Sequence, residues 1–283
     1  MKVLTSKFLL MKNTIALLLL ILGMTTAFSQ AENRPENTGD DFSLEGALEL
    51  FKNSNSLEDF EKGINDQNNN INNLDLNGDG EIDYINVEDI KQGDTHIIIM
   101  STYLEETEKQ DIAVITLEKT GDDKAVLQIE GDEDLFAKNT IVEPKAVEKG
   151  AVQNLKTESN VAVVENNPTV VNVWFWPSVR FLYGPRYAVW ISPYGWRRYP
   201  GWWRPWRPVA YPVFYGYGVR YRPYYRPIAI RRVTVARGIY YPRRHTSTLV
   251  IRNRRGTTVI HEGRRGRVRG VRVRPGRVRG GRR

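Results

Sequence analysis

Between residues 43 and 64 the apolar positions recur at helical spacing. SLEGALELF sets Leu44, Ala47, Leu48 and Phe51 at i, i+3, i+4 and i+7, which predicts a helix with one apolar face and Ser43 as its cap. A second start follows at Ser56, where SLED places an acid three residues after a serine and Leu57, Phe60 and Ile64 continue the spacing. Two short helices are expected. The alternative is one helix running through Asn53 to Asn55.

Beyond residue 83 the period changes to two. DYINVEDI, THIIIMSTY, DIAVITLEK and KAVLQIEG are rich in Ile and Val and are parted by the turn-forming KQGD, LEETEKQ and TGDD. Leu127 and Ile129 alternate with Gln128 and Glu130, the pattern of a sheet wet on one face and covered on the other. The fold class expected for residues 30–144 is α+β, with two short helices packed on a four-stranded antiparallel meander. The asparagine-rich run INDQNNNINN before the strands reads as too polar for a core.

After residue 145 the pattern changes character. Residues 145–170 have no clear period and mixed charge, and read as a linker. All seven tryptophans then fall between Trp174 and Trp206, and Pro and Gly recur every few residues, which excludes long helices. VVNVWFW and YAVWIS are expected as short strands about Gly184-Pro185, RYRPYYRP as extended, and TLVIRNRRGTTVIHE as a hairpin turning at Arg255-Gly256. Residues 171–262 thus read as a partly ordered arginine- and aromatic-rich segment with short strands. The low-complexity stretch 263–283 has nothing to bury and reads as a disordered tail.

The N-terminal stretch bounds where the protein works. MKNTIALLLLILGMTTAFSQ has a basic start, an apolar run from Ile15 to about Met24 and a small-x-small site at Ala27-Phe28-Ser29, which predicts a secretory signal over residues 1–29 and a mature start at Gln30. The run is well short of the ~20 residues of a spanning helix. Met11 is a second candidate start. The expected location is the periplasm, the outer-membrane surface or the extracellular space. Absence of cysteine excludes disulfides, thiolate metal sites and cysteine nucleophiles.

The net charge of +8 conceals two opposed halves. Residues 171–283 hold 27 arginines and no lysine, with Glu262 as the single acid, so the other acids lie in residues 1–170. Such asymmetry implies two units with different partners, or two units that attract each other.

Within the acidic half, LDLNGDGEIDYI sets oxygen-bearing side chains at alternate positions: Asp75, Asn77, Asp79, Glu81 and Asp83, with Gly80 sixth from Asp75. That is the spacing of a calcium loop, in which glycine permits the sharp turn. Position 12 is Asn86 rather than a bidentate acid, and strand-like residues follow, so a helix-loop-helix hand is not expected. The stretch resembles the DxNxDGxxD loops of FG-GAP-type propeller repeats and, in its first half, dockerin and EF-hand-like loops. The resemblance implies a Ca²⁺ held by the side chains of Asp75, Asn77, Asp79 and Asp83 and by the carbonyl of Glu81. It covers about a dozen residues and occurs once, so neither a propeller nor a dockerin follows.

In the basic half, arginine interleaved with tryptophan suits polyanions, because guanidinium forks onto phosphate or carboxylate and stacks on aromatic faces. The candidates are Trp202, Trp203, Arg204, Trp206 and Arg207, with the tail arginines Arg264, Arg265, Arg267, Arg269, Arg272, Arg274, Arg277, Arg279, Arg282 and Arg283. Expected partners are lipopolysaccharide, extracellular nucleic acid or acidic polysaccharide. The tail resembles RGG-type segments of RNA-binding proteins, while the overall pattern resembles uncharacterised secreted proteins of Gram-negative bacteria. The alternatives are a self-associating envelope protein whose basic tail docks on its acidic half, and a glycan-binding or hydrolytic module.

An enzyme is not expected. GxSxG, HExxH, P-loop and dinucleotide fingerprints are missing from the sequence. His96 reads as a half-buried strand residue, and His245 and His261 lie among arginines that disfavour their protonation.

Overall fold

The structure is a computed structural model that describes residues 36–146, 170–248, 250–253, 256–263 and 267–272, with backbone alone from residue 251. Residues 1–29, expected as a signal segment, and most of residues 145–170, expected as a linker, lie outside the described residues. Helices α1 (Leu44–Asn53) and α2 (Leu57–Ile64) form where the apolar spacing places them. Each is capped as its serine predicts. The Ser43 hydroxyl accepts from the Gly46 amide at 3.0 Å, and that of Ser56 from the Asp59 amide at 3.0 Å. Ser54 leaves the helical region and ends α1, so the two helices stay separate. Their apolar faces meet where Phe51 and Phe60 pack edge to face at 5.3 Å. Truncating either costs ~3–5 kcal/mol.

The helices cover one antiparallel sheet, larger than the expected meander. Strands β1 (Ile85–Gln92), β2 (Thr95–Tyr103), β3 (Lys109–Gly121) and β4 (Lys124–Gly131) follow one another as the alternation predicts. The sheet then continues through β5 (Ile141–Pro144) into β6 (Tyr225–Ile228), six strands in chain order. The sixth strand comes from the basic half. Glu143 pairs in register with Arg226, so strand pairing and charge pairing coincide at this edge.

Register sorts the core. Ile98 opposes Ile115 and Ile115 opposes Ile129, which turns these residues, with Val87 and Met100, toward α1 and α2. The same core takes Val173, Trp174, Val179 and Leu182 from the basic half, the last two on helix α3 (Pro177–Leu182). The opposite face is not wet as expected. Ile97, Ile99 and Val114 pack under Val233, Ala236, Ile239 and Tyr240, on and beside helix α5 (Thr234–Tyr240). Gln128, expected to face water, is 2% exposed. Its amide donates to Glu143 and to the Ile230 carbonyl and accepts from the Arg232 amide. Period-two alternation identifies a polar face, and here that face is covered by a segment carrying complementary arginines.

Elsewhere in the basic half the expected strands give way. VVNVWFW forms none. Asn172 Oδ1 instead accepts from the amides of Ala125 and Trp174, and Pro177 at the first helical position opens α3. YAVWIS contributes only an isolated bridge, Ile191 to Glu88 on the outer edge of β1. Helix α4 (Tyr211–Gly218) buries Phe214 alone. The expected strands of that hairpin do pair, β7 (Val250–Asn253) with β8 (Gly256–Gly263), and Gly256 already stands in the strand opposite Asn253; Arg255 lies outside the described residues. β9 (Arg267–Arg272), within the expected disordered tail, adds a third strand. Its Val268 and Val271 supply β preference that an all-arginine stretch lacks.

Candidate functional site

The acidic loop is built from its own backbone amides. Asp75 accepts from the Asp79 amide at 3.1 Å and the Gly80 amide at 2.9 Å. Asn77 Oδ1 accepts from Asp79 at 2.9 Å, and Asp79 Oδ1 from Glu81 at 2.9 Å. Asp83, 6% exposed, accepts from the Leu76 amide at 2.6 Å and the Asn77 amide group at 3.1 Å. Gly78 and Gly80 hold φ of 72° and 87°, the left-handed region that the turn requires and glycine supplies.

Negative charge accumulates here. Burial pushes Asp83 well above the ordinary carboxylate range, and the charges of Asp75 and Asp79 push it further. Asp75 is raised by burial first and then by Asp79, against the pull of the amides it binds. Among the described residues no Lys or Arg forms an ion pair with Asp75, Asp79 or Asp83. Each carboxylate oxygen that takes an amide hydrogen keeps a second lone pair. The geometry also sets a limit: among the described residues no three His, Asp or Glu side chains are gathered as a metal site. A cation here would therefore need Asn77 Oδ1, the Glu81 carbonyl and water beside the carboxylates, which suits calcium's six to eight oxygen ligands.

Asparagines tie this loop to the basic half. Asn65, Asn72 and Asn73 are 2%, 3% and 4% exposed, which corrects the reading of the asparagine run as too polar for the interior at its two ends, while Asp66, Gln67 and Asn68 between them are exposed. The buried amides replace backbone partners. Asn65 donates to the Ile85 carbonyl at 2.7 Å and accepts from the Ile85 amide at 2.8 Å, and Asn73 does the same with Val209, at 3.0 and 2.8 Å. The Ile82 amide, between two candidate ligands, donates to the Trp206 carbonyl at 2.8 Å. Tyr84, just past the loop, meets the rings of Tyr194, Tyr199, Trp202 and Trp203 at 5.1–6.4 Å. Residues 194–209 thus lie across the loop as a strap.

The strap divides the polyanion candidates. Trp203 is 4% exposed against Tyr84 and Tyr199, which withdraws it from any surface role. Trp202 is 45% exposed, with the Lys62 ammonium 5.7 Å from its ring. Trp206 is half-buried, and Arg204 and Arg207 are exposed. Arg204 Nη1 donates to the carbonyls of Gly201 and Trp203. Arg267, Arg269 and Arg272 lie on β9. Arg264, Arg265, Arg274, Arg277, Arg279, Arg282 and Arg283 lie outside the described residues.

Nine of the arginines of residues 170–248 fall into two groups. Arg226 and Arg232 converge on Glu143 at 2.7 and 2.6 Å, Arg231 pairs with Glu130, and Arg244 spans Asp132 and Asp134 at 2.5 Å each. Those charges are spent within the chain. Arg180, Arg197, Arg220, Arg222 and Arg237 instead stand 4.5–5.6 Å from the rings of Trp174, Trp196, Tyr221, Tyr215 and Tyr241, and none has a carboxylate partner among the described residues.

One buried acid escaped the sequence reading, and His96, read as half-buried, lies deeper than expected. Glu61, 2% exposed, accepts from the Tyr84 and Ser192 hydroxyls, the Val87 amide and the Trp190 indole. Its signal was available: Leu57, Phe60, Glu61 and Ile64 set an acid on an apolar stripe. His96 is fully buried, its Nδ1 2.8 Å from Asp89 Oδ2, which also accepts from the Tyr187 hydroxyl. His245 was expected among arginines, but β3 brings Asp111 to 3.2 Å from its Nδ1. No protein-family model, curated protein or solved structure matches this chain.

Proposed function

We propose that the protein is an exported, calcium-binding envelope or surface protein that binds polyanions through its basic half. Calcium would occupy the loop from Asp75 to Asp83 as a structural clip, held beneath the 194–209 strap. The observation that carries the polyanion reading is the set of arginines stacked on aromatic rings without a carboxylate partner. A ring holds the guanidinium in place, and beyond the bonds that Arg220 makes to Asn69 and Tyr221 and Arg237 to Tyr241, its other N–H groups can serve phosphate, sulfate or carboxylate.

A second reading is favoured by the other arginines. Arg226, Arg231, Arg232 and Arg244 are spent on the acidic half, which supports a structural role in which the basic half neutralises its own chain or a neighbouring copy. Salt separates the two. Under the polyanion reading, affinity of the mature chain for lipopolysaccharide or DNA falls steeply with salt, and the slope drops when residues 264–283 are removed. Trp202→Ala removes a salt-resistant remainder of ~1–3 kcal/mol. Under the structural reading the mature chain binds polyanions poorly at every salt concentration. A glycan-binding module would instead hold a neutral glycan at high salt.

A further inference from the structure

We propose that the cavity between the outer face of the six-stranded sheet and α5 holds one acidic sugar unit, a hydroxylated six-membered ring bearing a single carboxylate. The inference rests on the acidic-glycan branch of the polyanion reading above and gives it a place. Register sets the floor. Val114 stands opposite Glu130 and Glu130 opposite Ile141, so the three side chains form one row across β3, β4 and β5 on the face turned from α1 and α2. Thr116, two residues along β3 from Val114, lies on the same face. Ala236 of α5, with Val233 just before the helix, closes the space from above. The cavity left between them measures about 170 Å³. A cavity of about 150 Å³ takes one benzene ring, so this one has room for a single six-membered ring.

Its lining has two sides. Val114, Ile141, Val233 and Ala236 are buried and offer an apolar side to the C–H face of a pyranose. The other side is polar, and its charges are already met. Arg231 holds Glu130, Arg244 holds Asp132 and Asp134, and Glu133 accepts from the Tyr241 hydroxyl at 3.0 Å with Arg244 at 4.0 Å. Carboxylates paired in this way keep lone pairs for ligand hydroxyls. Asn139 turns its Oδ1 to Arg231 at 3.1 Å, which aims its amide N–H groups at a hydroxyl beside it.

The rim carries the charge that selects an acid. Arg237 stands 4.7 Å from the Tyr241 ring and donates to its hydroxyl at 3.3 Å. Lys138 is exposed on the loop after β4. Neither forms an ion pair among the described residues. A terminal phosphate brings about 1.5 to 2 negative charges into a space that Glu130 and Glu133 also line, whereas a carboxylate brings one. The floor is buried and the rim exposed, so the cavity admits the end of a glycan and not its middle.

The test titrates the mature chain calorimetrically with galacturonate, galactose and benzoate. Galacturonate is expected to bind about tenfold more tightly than galactose, because only the acid engages Arg237 and Lys138. Arg237→Gln with Lys138→Gln changes two exposed side chains outside the core and should remove that preference. Thr116→Phe fills the cavity and should abolish binding of both sugars; where it lowers the thermal midpoint, the glutamine pair carries the test. Galacturonate that binds no more tightly than galactose, or a preference that survives the glutamine pair, overturns the site. Benzoate that binds as tightly as galacturonate overturns the sugar class. An oligogalacturonate that binds the wild-type chain and Thr116→Phe alike overturns the cavity while the polyanion reading stands. Binding of no sugar acid, DNA or lipopolysaccharide overturns both.

Discussion

Glu61 Oε1 lies 2.8 Å from the Ser192 hydroxyl across 131 residues of sequence, and this part-buried bond joins the acidic half to the basic half. Burial pushes the Glu61 carboxyl above its ordinary range, while Tyr84, Ser192, Val87 and Trp190 pull it back by donating to it. Glu61→Ala strands four donors, the Tyr84 hydroxyl and Val87 amide in buried bonds and the Ser192 hydroxyl and Trp190 indole in part-buried ones. At ~1–3 kcal/mol for each buried donor left unpaired, the expected loss is ~2–3 kcal/mol after local repacking. Glu61→Gln keeps the shape, but one of its two acceptor oxygens becomes a donor, so an intermediate loss is expected. Denaturant titration of the mature chain measures both, and an unchanged midpoint for the alanine variant would show that the junction contributes nothing.

The two halves are expected to behave as fragments of one folded body. Residues 36–146 alone lack the β6 partner of β5, the Trp174 and Leu182 contribution to the core and the α5 cover over Ile97 and Ile99. A chain of residues 30–146 should melt with low cooperativity, and a separate chain of residues 170–283 should restore the sharp transition when added. Calorimetry of each chain and of the mixture reads this directly. A cooperative melt of 30–146, unchanged by the second chain, would contradict it.

Much of this architecture was legible in residues 43–131, where spacing alone located both helices, both serine caps and four strands. Local signals were consistent there. The basic half was less legible, because its elements form through contacts made far away in sequence. Asn172 bonds to Ala125 and Trp190 to Glu61, and neither partner is marked in the local pattern. Gln128 shows the same limit from the acidic side: alternation marks it as polar but does not reveal that Arg232 and Glu143 will enclose it. In the loop the glycine positions and ligand types were readable. The strap over them was not, since Trp206 contributes only its backbone carbonyl.

Stability should vary with pH through Asp41, whose carboxylate accepts from Asn73 at 2.8 Å. Burial raises its pKa from 3.8 to about 6; the Asn73 bond opposes that rise and Asp40 adds to it. Because the folded value exceeds the unfolded one, the folded state holds the proton more tightly. The resulting stability is fully present below pH 3.8 and is lost as pH rises through about 6, amounting to roughly 3 kcal/mol. Asp41→Asn keeps an acceptor for Asn73 and should flatten this part of the curve, gaining most above pH 6. Glu143 contributes in the opposite sense. Burial raises it, but Arg232 and Arg226 outweigh burial and hold it below the usual range, so its stability is lost as pH falls. A wild-type thermal midpoint that does not decline between pH 4 and pH 7, or one that declines equally in Asp41→Asn, would rule Asp41 out as the source.

Calcium should raise the thermal midpoint of the mature chain, and Asp79→Ala should remove the rise. Asp79 is the cleanest position to test. Its side chain is exposed at the loop tip, accepts one amide from Glu81 and is not packed in the core, so its loss costs little without metal. At a calcium concentration 100 times the dissociation constant, linkage gives ~2.7 kcal/mol of added stability. Exported domains commonly bind calcium at ~10⁻⁴ to 10⁻³ M, and the missing acid at Asn86 favours that weaker range. Magnesium should do less, because it gives up its waters reluctantly to a flexible carboxylate loop. The strap supplies a second readout. Since the Ile82 amide holds the Trp206 carbonyl, calcium should also slow hydrogen exchange at Ile82 and alter the fluorescence of Trp202 and Trp203. A midpoint and a fluorescence spectrum that both ignore millimolar calcium would leave the loop as an acidic turn held by its own amides.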